Sequence, residues 1–236
     1  MKGSPQRRPQ SLNLRQTIDE LQSKMTCAHG SRPGVIVDRD GTLNLDRGYL
    51  HDPAEVKLLP GSGEALALLN AANIPVVIIT NQSGIGRGII TMAEFESVNQ
   101  TIWDTLQVHG AHYDGLYYCP HNPSVEPSCS CRKPQAGLLL QAAVDLRLDL
   151  SRSYVVGDKR SDIEAGKAVG SYTVLVLTGF GLLARHELES SDVHPDYIAD
   201  DLLDACRWIL YTQAPSCRSV RGPDAPCLIK TTEISE

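Results

Sequence analysis

The sequence predicts an α/β fold: a Rossmann-like parallel sheet with helices on both faces and no large cap domain. Three observations carry this. Short continuous apolar runs recur along the chain, as strands buried on both faces require. Segments with apolar residues at helical spacing separate them, which is the βαβ pattern. The residues just after the runs are carboxylates, small hydroxyls and amides, and ligands in such sheets bind at the carboxyl ends of the strands.

Residues 1–33 form an N-terminal extension. Its first ten residues are polar. Leu14, Ile18, Leu21 and Met25 then share one helical face, predicting a short amphipathic helix that packs on the domain or on a second subunit, or that docks a partner. Ser31-Arg32-Pro33-Gly34 reads as a linker. The main domain spans 34–211. Val35-Ile36-Val37 is the first strand. Ala65, Leu66, Leu68 and Leu69 mark a helix over 62–70. Pro75-Val76-Val77-Ile78-Ile79 is the second strand, with Pro first, where no ladder donor is lost. Thr91 and Glu94 form a capping box that starts a helix reaching about 108. Residues 113–118 form a third strand, 138–146 a helix, 154–156 a fourth strand, 162–169 a helix and 173–177 a fifth strand. Tyr197-Ile198-Ala199 leads into a helix over 202–210. Residues 212–236 show little periodicity and read as a loose tail.

Composition narrows the function classes. Apolar residues make up 42% of the 236, which suits an ordinary globular protein. The net charge of -6 argues against general nucleic-acid binding and leaves no basic stripe for a membrane. No apolar run is long enough to span a bilayer. The basic N-terminus lacks an apolar segment behind it, so it does not read as a secretory signal. A cytoplasmic, reducing location follows, where the seven cysteines are thiols or metal ligands rather than a disulfide framework.

The first strand ends in Asp38-Arg39-Asp40-Gly41-Thr42. Residues i and i+2 of an extended chain face one side, so Asp38 and Asp40 share a cleft. A surface turn on Asp40-Gly41 is the bland alternative. The second run ends in Thr80-Asn81-Gln82-Ser83 and the fourth in Gly157-Asp158-Lys159, while Arg132-Lys133 precedes the helix before it. Carboxylates of this kind suit Mg²⁺, with substrate phosphate and water completing an octahedron. The hydroxyl, amide and ammonium donors suit phosphoryl oxygens. A nucleophilic carboxylate beside a second carboxyl suits a two-step displacement. Separately, Cys119, His121, Cys129 and Cys131 form a Cys₃His set that matches tetrahedral Zn²⁺. Four protein ligands leave no open position, so the zinc is structural, pinning a small loop that runs straight into Lys133.

These motifs resemble the haloacid dehalogenase superfamily of phosphotransferases. Asp38-Arg39-Asp40-Gly41-Thr42, Thr80-Asn81, Lys133 and Gly157-Asp158 stand in that family's order and strand context. The resemblance implies Asp38 as nucleophile, Asp40 as general acid/base, and Thr80 and Lys133 as stabilisers of the phosphoryl group. It also implies Mg²⁺ held by Asp38, the Asp40 carbonyl and Asp158, with Asp162 behind them. A zinc loop ahead of the motif lysine is similar to the subgroup of D-glycero-D-manno-heptose 1,7-bisphosphate 7-phosphatases and histidinol-phosphatases, and local stretches lean to the heptose enzymes. The likeness runs from about 35 to 182. Carried over, Asp46, Arg47, Gly48, Tyr49, Asn81, Gln82 and Ser83 line the substrate site. Arg132 reads the second phosphate or sugar, its planar fork suiting a phosphate. Lys159 sits beside Asp158. The implied activity is hydrolysis of a small sugar phosphate, the 7-phosphate of the heptose bisphosphate, in nucleotide-activated heptose biosynthesis, by a monomer or small homo-oligomer. A histidinol-phosphate phosphatase and a non-catalytic zinc-stabilised binding protein are the alternatives.

Overall fold

The computed structural model describes residues 31–125 and 129–213. Six strands form one parallel sheet: β1 (Val35–Val37), β2 (Val76–Asn81), β3 (Gly115–Cys119), β4 (Tyr154–Gly157), β5 (Tyr172–Val176) and β6 (Tyr197–Ala199). Their order is β3-β2-β1-β4-β5-β6. The chain steps outward from β1 to β3, then crosses back to place β4 on the other side of β1. The crevice between the carboxyl ends of β1 and β4 is therefore the switch point where ligands bind in such sheets.

Seven α-helices cover the sheet among the described residues: α1 (Ser62–Ala71), α2 (Ser83–Gly86), α3 (Met92–Val108), α4 (Gly137–Leu146), α5 (Arg160–Ala168), α6 (Gly181–Glu189) and α7 (Leu202–Gln213). Strand alternation sorts the core. Val35, Val37, Val76, Ile78, Val156 and Val174 point to the layer formed by α1, α3 and α7. Ile36, Val77, Ile79 and Val155 point to α4 and α5 on the other face. Leu175 packs with Ile163, Ala184 and Leu188 under α6. Burying such Leu and Ile side chains is worth about 1.5–3 kcal/mol each.

The capping box of α3 forms as expected, with the Thr91 hydroxyl accepting from Glu94 N and the Glu94 carboxylate accepting from Thr91 N. Several bounds differ from the sequence reading. β3 begins at Gly115, because Asp114 spends its carboxylate on Val76 N at 2.8 Å and Tyr113 packs edge-on against Trp103. α5 begins at Arg160, its start capped by Asp162, which accepts from Lys159 N. α2, α6 and the pairing of β6 had no strong apolar period to announce them. α7 continues through Thr212 and Gln213, beyond the expected domain end at 211. Tyr154 explains this: its hydroxyl lies 2.8 Å from Thr212 Oγ1 and accepts from Gln213 Nε2. Arg32 is not a free linker either, since it exchanges backbone hydrogen bonds with Arg147 O and Asp149 N. The amphipathic helix expected over 14–25 lies outside the described residues, as does the tail from 214 on. Among the described residues no cap domain interrupts the sheet.

Candidate active site and metal centres

β1 ends at the switch point, so Asp38 leaves the sheet with its carboxylate in the crevice, 6% exposed. Lys133 reaches it from the zinc-loop side, Nζ to Oδ1 at 2.6 Å, and also donates to Ile79 O at 2.7 Å. β4 delivers Asp158 and the first turn of α5 delivers Asp162, both essentially without solvent contact. One oxygen from each of Asp38, Asp158 and Asp162 lies within 4.8 Å of the others. Asp162 thus stands in the acidic cluster itself rather than behind it.

This trio fits a hard cation. Buried carboxylates require a counter-charge or donors, yet Asp158 Oδ1 has no hydrogen-bond partner. Asp162 Oδ1 is an ion-pair neighbour of Lys133 at 2.6 Å, without hydrogen-bond alignment. Burial, followed by the charge of Asp38, pushes Asp158 up to about 7. Burial also raises Asp162. Burial alone would depress Lys133, but Asp162 and Asp38 outweigh it and hold the ammonium above the ordinary lysine range. The backbone makes room for these oxygens at Gly41, which has φ 97° and whose missing Cβ would overlap the Asp158 carboxylate.

Asp40 is arranged differently. Its carbonyl accepts from Lys159 Nζ at 3.2 Å. Its carboxylate is ringed by donors. Arg39 Nε lies at 3.1 and 3.2 Å, Arg39 Nη2 at 2.8 Å, Asn44 Nδ2 at 3.0 Å and Gln82 Nε2 at 2.7 Å. Burial works to raise Asp40, but the Arg39 charge and these hydrogen bonds prevail and hold it below the usual carboxylate range.

The remaining expected residues divide. Thr80 is buried at the end of β2, its hydroxyl accepting from Gln82 Nε2 at 2.9 Å. Gln82 is itself buried and bridges Thr80 to Asp40 rather than facing the cleft mouth. Asn81 holds the Lys133 main chain, accepting from its N at 3.0 Å and donating to its O at 3.1 Å. Ser83 opens α2 and stays partly exposed. Asp46 turns its loop by accepting from Gly48 N and pairs with Lys159 at 3.2 Å. Arg47, Gly48 and Tyr49 are exposed, and the Tyr49 ring lies against the bare face of Gly84. Lys159 also lies 3.7 Å from Asp158 and 5.1 Å from the Phe180 ring centroid. Arg132 is half-buried, with a buried Nη1 that has no hydrogen-bond partner.

Sequence reasoning overlooked Arg39, Asn44, Asn99, Thr178 and Phe180. Thr178 Oγ1 donates to Gly41 O at 2.7 Å, and Phe180 N donates to Asp158 Oδ2 at 2.8 Å. Asn99 had a signal: it stands among Phe95, Val98, Ile102 and Leu106 on the buried face of α3, where an amide needs a partner. The loop residues had none, because their contacts are set by main-chain path.

The second centre gathers Cys119, His121, Cys129 and Cys131, with ligand atoms within 4.8 Å of one another. Cys119 Sγ lies 3.7 Å from Cys129 Sγ, 3.1 Å from Cys131 Sγ and 3.5 Å from His121 Nδ1, which is 3.0 Å from Cys131 Sγ. Zinc–sulfur bonds of about 2.3 Å give tetrahedral S···S edges near 3.8 Å, so modest expansion accommodates the ion. Burial pushes the Cys119 thiol up to about 12. A central cation favours thiolates in so small a space. The β2–β3 register sets Cys119 beside Asn81, so this centre adjoins the residue that holds Lys133.

A HAD-hydrolase-like family model matches residues 130–205. The D-glycero-beta-D-manno-heptose-1,7-bisphosphate 7-phosphatase of Haemophilus ducreyi is 38% identical over 184 residues, 75% of this chain and 98% of that protein. The enzyme of that name from Pasteurella multocida is 42% identical over 178 residues, 73% of this chain and 94% of its own. Among solved structures, D,D-heptose 1.7-bisphosphate phosphatase from B. bronchiseptica, complexed with magnesium and phosphate, aligns with a TM-score of 0.70 at 32% identity. That match covers 76% of this chain and 98% of the other. With such identity sustained along nearly the whole length of these enzymes, the chain belongs to the haloacid dehalogenase-like hydrolases, in the branch of the heptose bisphosphate phosphatases.

Proposed function

We propose that this chain is a Mg²⁺-dependent phosphatase that hydrolyses the 7-phosphate of D-glycero-D-manno-heptose 1,7-bisphosphate to the 1-phosphate, serving nucleotide-activated heptose biosynthesis. One observation carries the chemistry: Asp38 is paired with Lys133 at 2.6 Å while sharing a cation-sized cluster with Asp158 and Asp162. The names of the relatives carry the substrate, and they specify the β anomer.

An Asp38 oxygen attacks the 7-phosphorus, and the bond from phosphorus to the sugar O7 breaks as O7 takes a proton from Asp40. Water then attacks the same phosphorus. It gives a proton to Asp40, the bond to Asp38 breaks, and the Asp38 carboxylate is restored. Thr80 and Lys133 donate to the phosphoryl oxygens as charge builds. Bound Mg²⁺ neutralises charge on the transferring phosphoryl group; Asp38, the Asp40 carbonyl and Asp158 would hold it, with Asp162 beside them. The donors around Asp40 favour its ionised form, so accepting the proton of water is the better supported of its two duties. Arg132, with its unpartnered Nη1, is assigned to the 1-phosphate or sugar. Asp46, Lys159, Arg47, Gly48, Tyr49 and Ser83 form the wall along the sugar, whereas Asn81 and Gln82 act through Lys133, Thr80 and Asp40. Zn²⁺ on Cys119, His121, Cys129 and Cys131 is structural. We assign a monomer or small homo-oligomer. No described helix is long and apolar enough to cross a membrane, and we assign a cytoplasmic location.

Phosphate release from both heptose anomers and from histidinol phosphate tests the reading. The expected result is the highest kcat/KM on the β heptose bisphosphate, and faster turnover of histidinol phosphate would overturn the substrate. Asp38→Asn should fold, bind less Mg²⁺ and show no turnover; normal turnover would remove the covalent route.

A further inference from the structure

Arg39 stands inside the catalytic motif, yet the chemistry above gives it no task. It is 1% exposed and among the largest fully buried side chains. A buried guanidinium is costly unless it is paired and hydrogen-bonded. Three of its contacts go to the adjacent residue, Asp40. A pair between sequence neighbours closes no long loop and contributes little to holding a fold together. The remaining bond does span the structure: Nη1 donates to Asn99 Oδ1 at 3.0 Å, sixty positions away on α3. Asn99 is oriented in turn by Nδ2, which donates to Phe95 O at 2.7 Å and so turns its oxygen toward Arg39. The Phe95 ring lies 5.7 Å from the guanidinium carbon. Asn44 and Gln82 take up acceptor sites that Arg39 leaves on the carboxylate, and Gln82 ties it to Thr80. The Asp40 carboxylate is thereby fixed in one orientation by a chain of contacts anchored on a helix outside the crevice.

We infer that Arg39 and Asn99 are positioning residues for Asp40, aiming its carboxylate at the water that hydrolyses the aspartyl phosphate. This rests on the assignment of Asp40 made above. A merely structural Arg39–Asn99 pair would affect both halves of the reaction alike. With a leaving group that needs no proton from Asp40, a positioning pair affects only the second half, in which the Asp40 carboxylate must receive a proton.

p-Nitrophenyl phosphate separates the halves, because its leaving group departs without a proton. In rapid mixing with Mg²⁺, the first nitrophenolate release reads attack by Asp38. The steady rate and the acid-stable phosphoenzyme fraction read hydrolysis. A displaced catalytic group costs up to about 10²-fold, and we expect Asn99→Ala to lower the steady rate about tenfold. Its first-turnover release should stay within about twofold of wild type, with phosphoenzyme accumulating. Asn99→Asp keeps an acceptor facing Arg39 and should recover most of the loss. Equal loss in both phases, a raised KM at unchanged kcat, absence of accumulated phosphoenzyme, or no recovery in Asn99→Asp would overturn the inference. Asp40→Asn distinguishes the two levels. If it accumulates phosphoenzyme and Asn99→Ala does not, only the positioning role fails; if neither does, the assignment of Asp40 fails first.

Discussion

Replacing Asn81 with alanine separates two accounts of that residue. Its motif position suggested a substrate contact, whereas its side-chain amide holds both main-chain groups of Lys133, at 3.0 and 3.1 Å. It imitates a neighbouring peptide where β3 has already turned off into the zinc loop. Each such bond contributes about 0.5–1.5 kcal/mol net, so Asn81→Ala should cost about 1–3 kcal/mol. The pair is only partly buried and water can replace one partner, which favours the lower half of that range. With a urea slope of about 2 kcal/mol/M, the unfolding midpoint should fall by about 0.5–1 M. The kinetic effect should be larger. Lys133 Nζ sits 2.6 Å from Asp38, and a shift near 1 Å can cost about 10²-fold, so kcat should fall by about 10–100-fold. KM should change by less than about threefold, because the proposed role of the ammonium is to act on the charge of the transition state. Urea unfolding, steady-state phosphate release under saturating Mg²⁺, and zinc content as a control measure all three. A raised KM with unchanged kcat would refute the clamp and restore the substrate contact, and an unchanged urea midpoint would refute the hydrogen-bond argument.

Gly41→Ala combines a positive φ with a Cβ that overlaps the Asp158 carboxylate. It should cost about 1–2 kcal/mol from conformation alone and weaken Mg²⁺ binding in calorimetry, and unchanged Mg²⁺ affinity would contradict the packing argument. Cys129→Ser should release zinc and reduce turnover by at least about tenfold through Lys133, with no rescue by added Mg²⁺; full activity in a zinc-free preparation would show the loop to be independent of the site. Asp158→Asn removes a buried carboxylate whose Oδ1 has no partner. Its Tm in chelator should equal or exceed wild type, while the Tm rise produced by Mg²⁺ disappears. A drop beyond about 4 °C in chelator, roughly 1 kcal/mol for a domain of this size, would mean the carboxylate is structural.

The sheet was legible because its strands are short, continuous and apolar, and because the first, second and fourth end abruptly in polar residues. Register follows from that pattern: Val35, Ile36 and Val37 pair in step with Val76, Val77 and Ile78 on one side and Tyr154, Val155 and Val156 on the other. Convergence of the first and fourth strands was legible too, since only the carboxyl ends of a parallel sheet bring Asp38 and Asp158 together. Individual side-chain duties were less so. Asn81 and Gln82 look like cleft residues by position, yet β2 turns into α2 and sends both amides inward. Asp162 looked one turn removed, but α5 starts at Arg160 and swings its first turn onto the crevice. Arg39 has no role in the sequence reading beyond its place between Asp38 and Asp40, because nothing local reveals that α3 carries an acceptor for it.

The acidic cluster and the aromatic cluster serve opposite ends of one requirement. Asp38, Asp158 and Asp162 are buried together, with Lys133 and Lys159 as the lysines paired to them. A buried ion carries a desolvation cost of several kcal/mol, repaid only where geometry and hydrogen bonds are complete, and Asp158 Oδ1 lacks a donor. The site is thus shaped for a ligand at the expense of the metal-free fold. The opposing stability lies under β4, β5 and β6. Tyr154 stacks on Tyr172, Tyr197 stacks on Trp208 at 3°, and Tyr154 meets Trp208 edge-on. Aromatic pairs of this kind add about 0.5–1.5 kcal/mol each beyond the area they bury. β4 carries both ends of the arrangement, with Tyr154 in the aromatic cluster at its start and Asp158 one residue past its other end. The strand that introduces the unfavourable carboxylate is therefore itself tied to α7 through Tyr154, whose ring meets Trp208 and whose hydroxyl meets Thr212 and Gln213, so the crevice is backed by packing at the far end of the same strand.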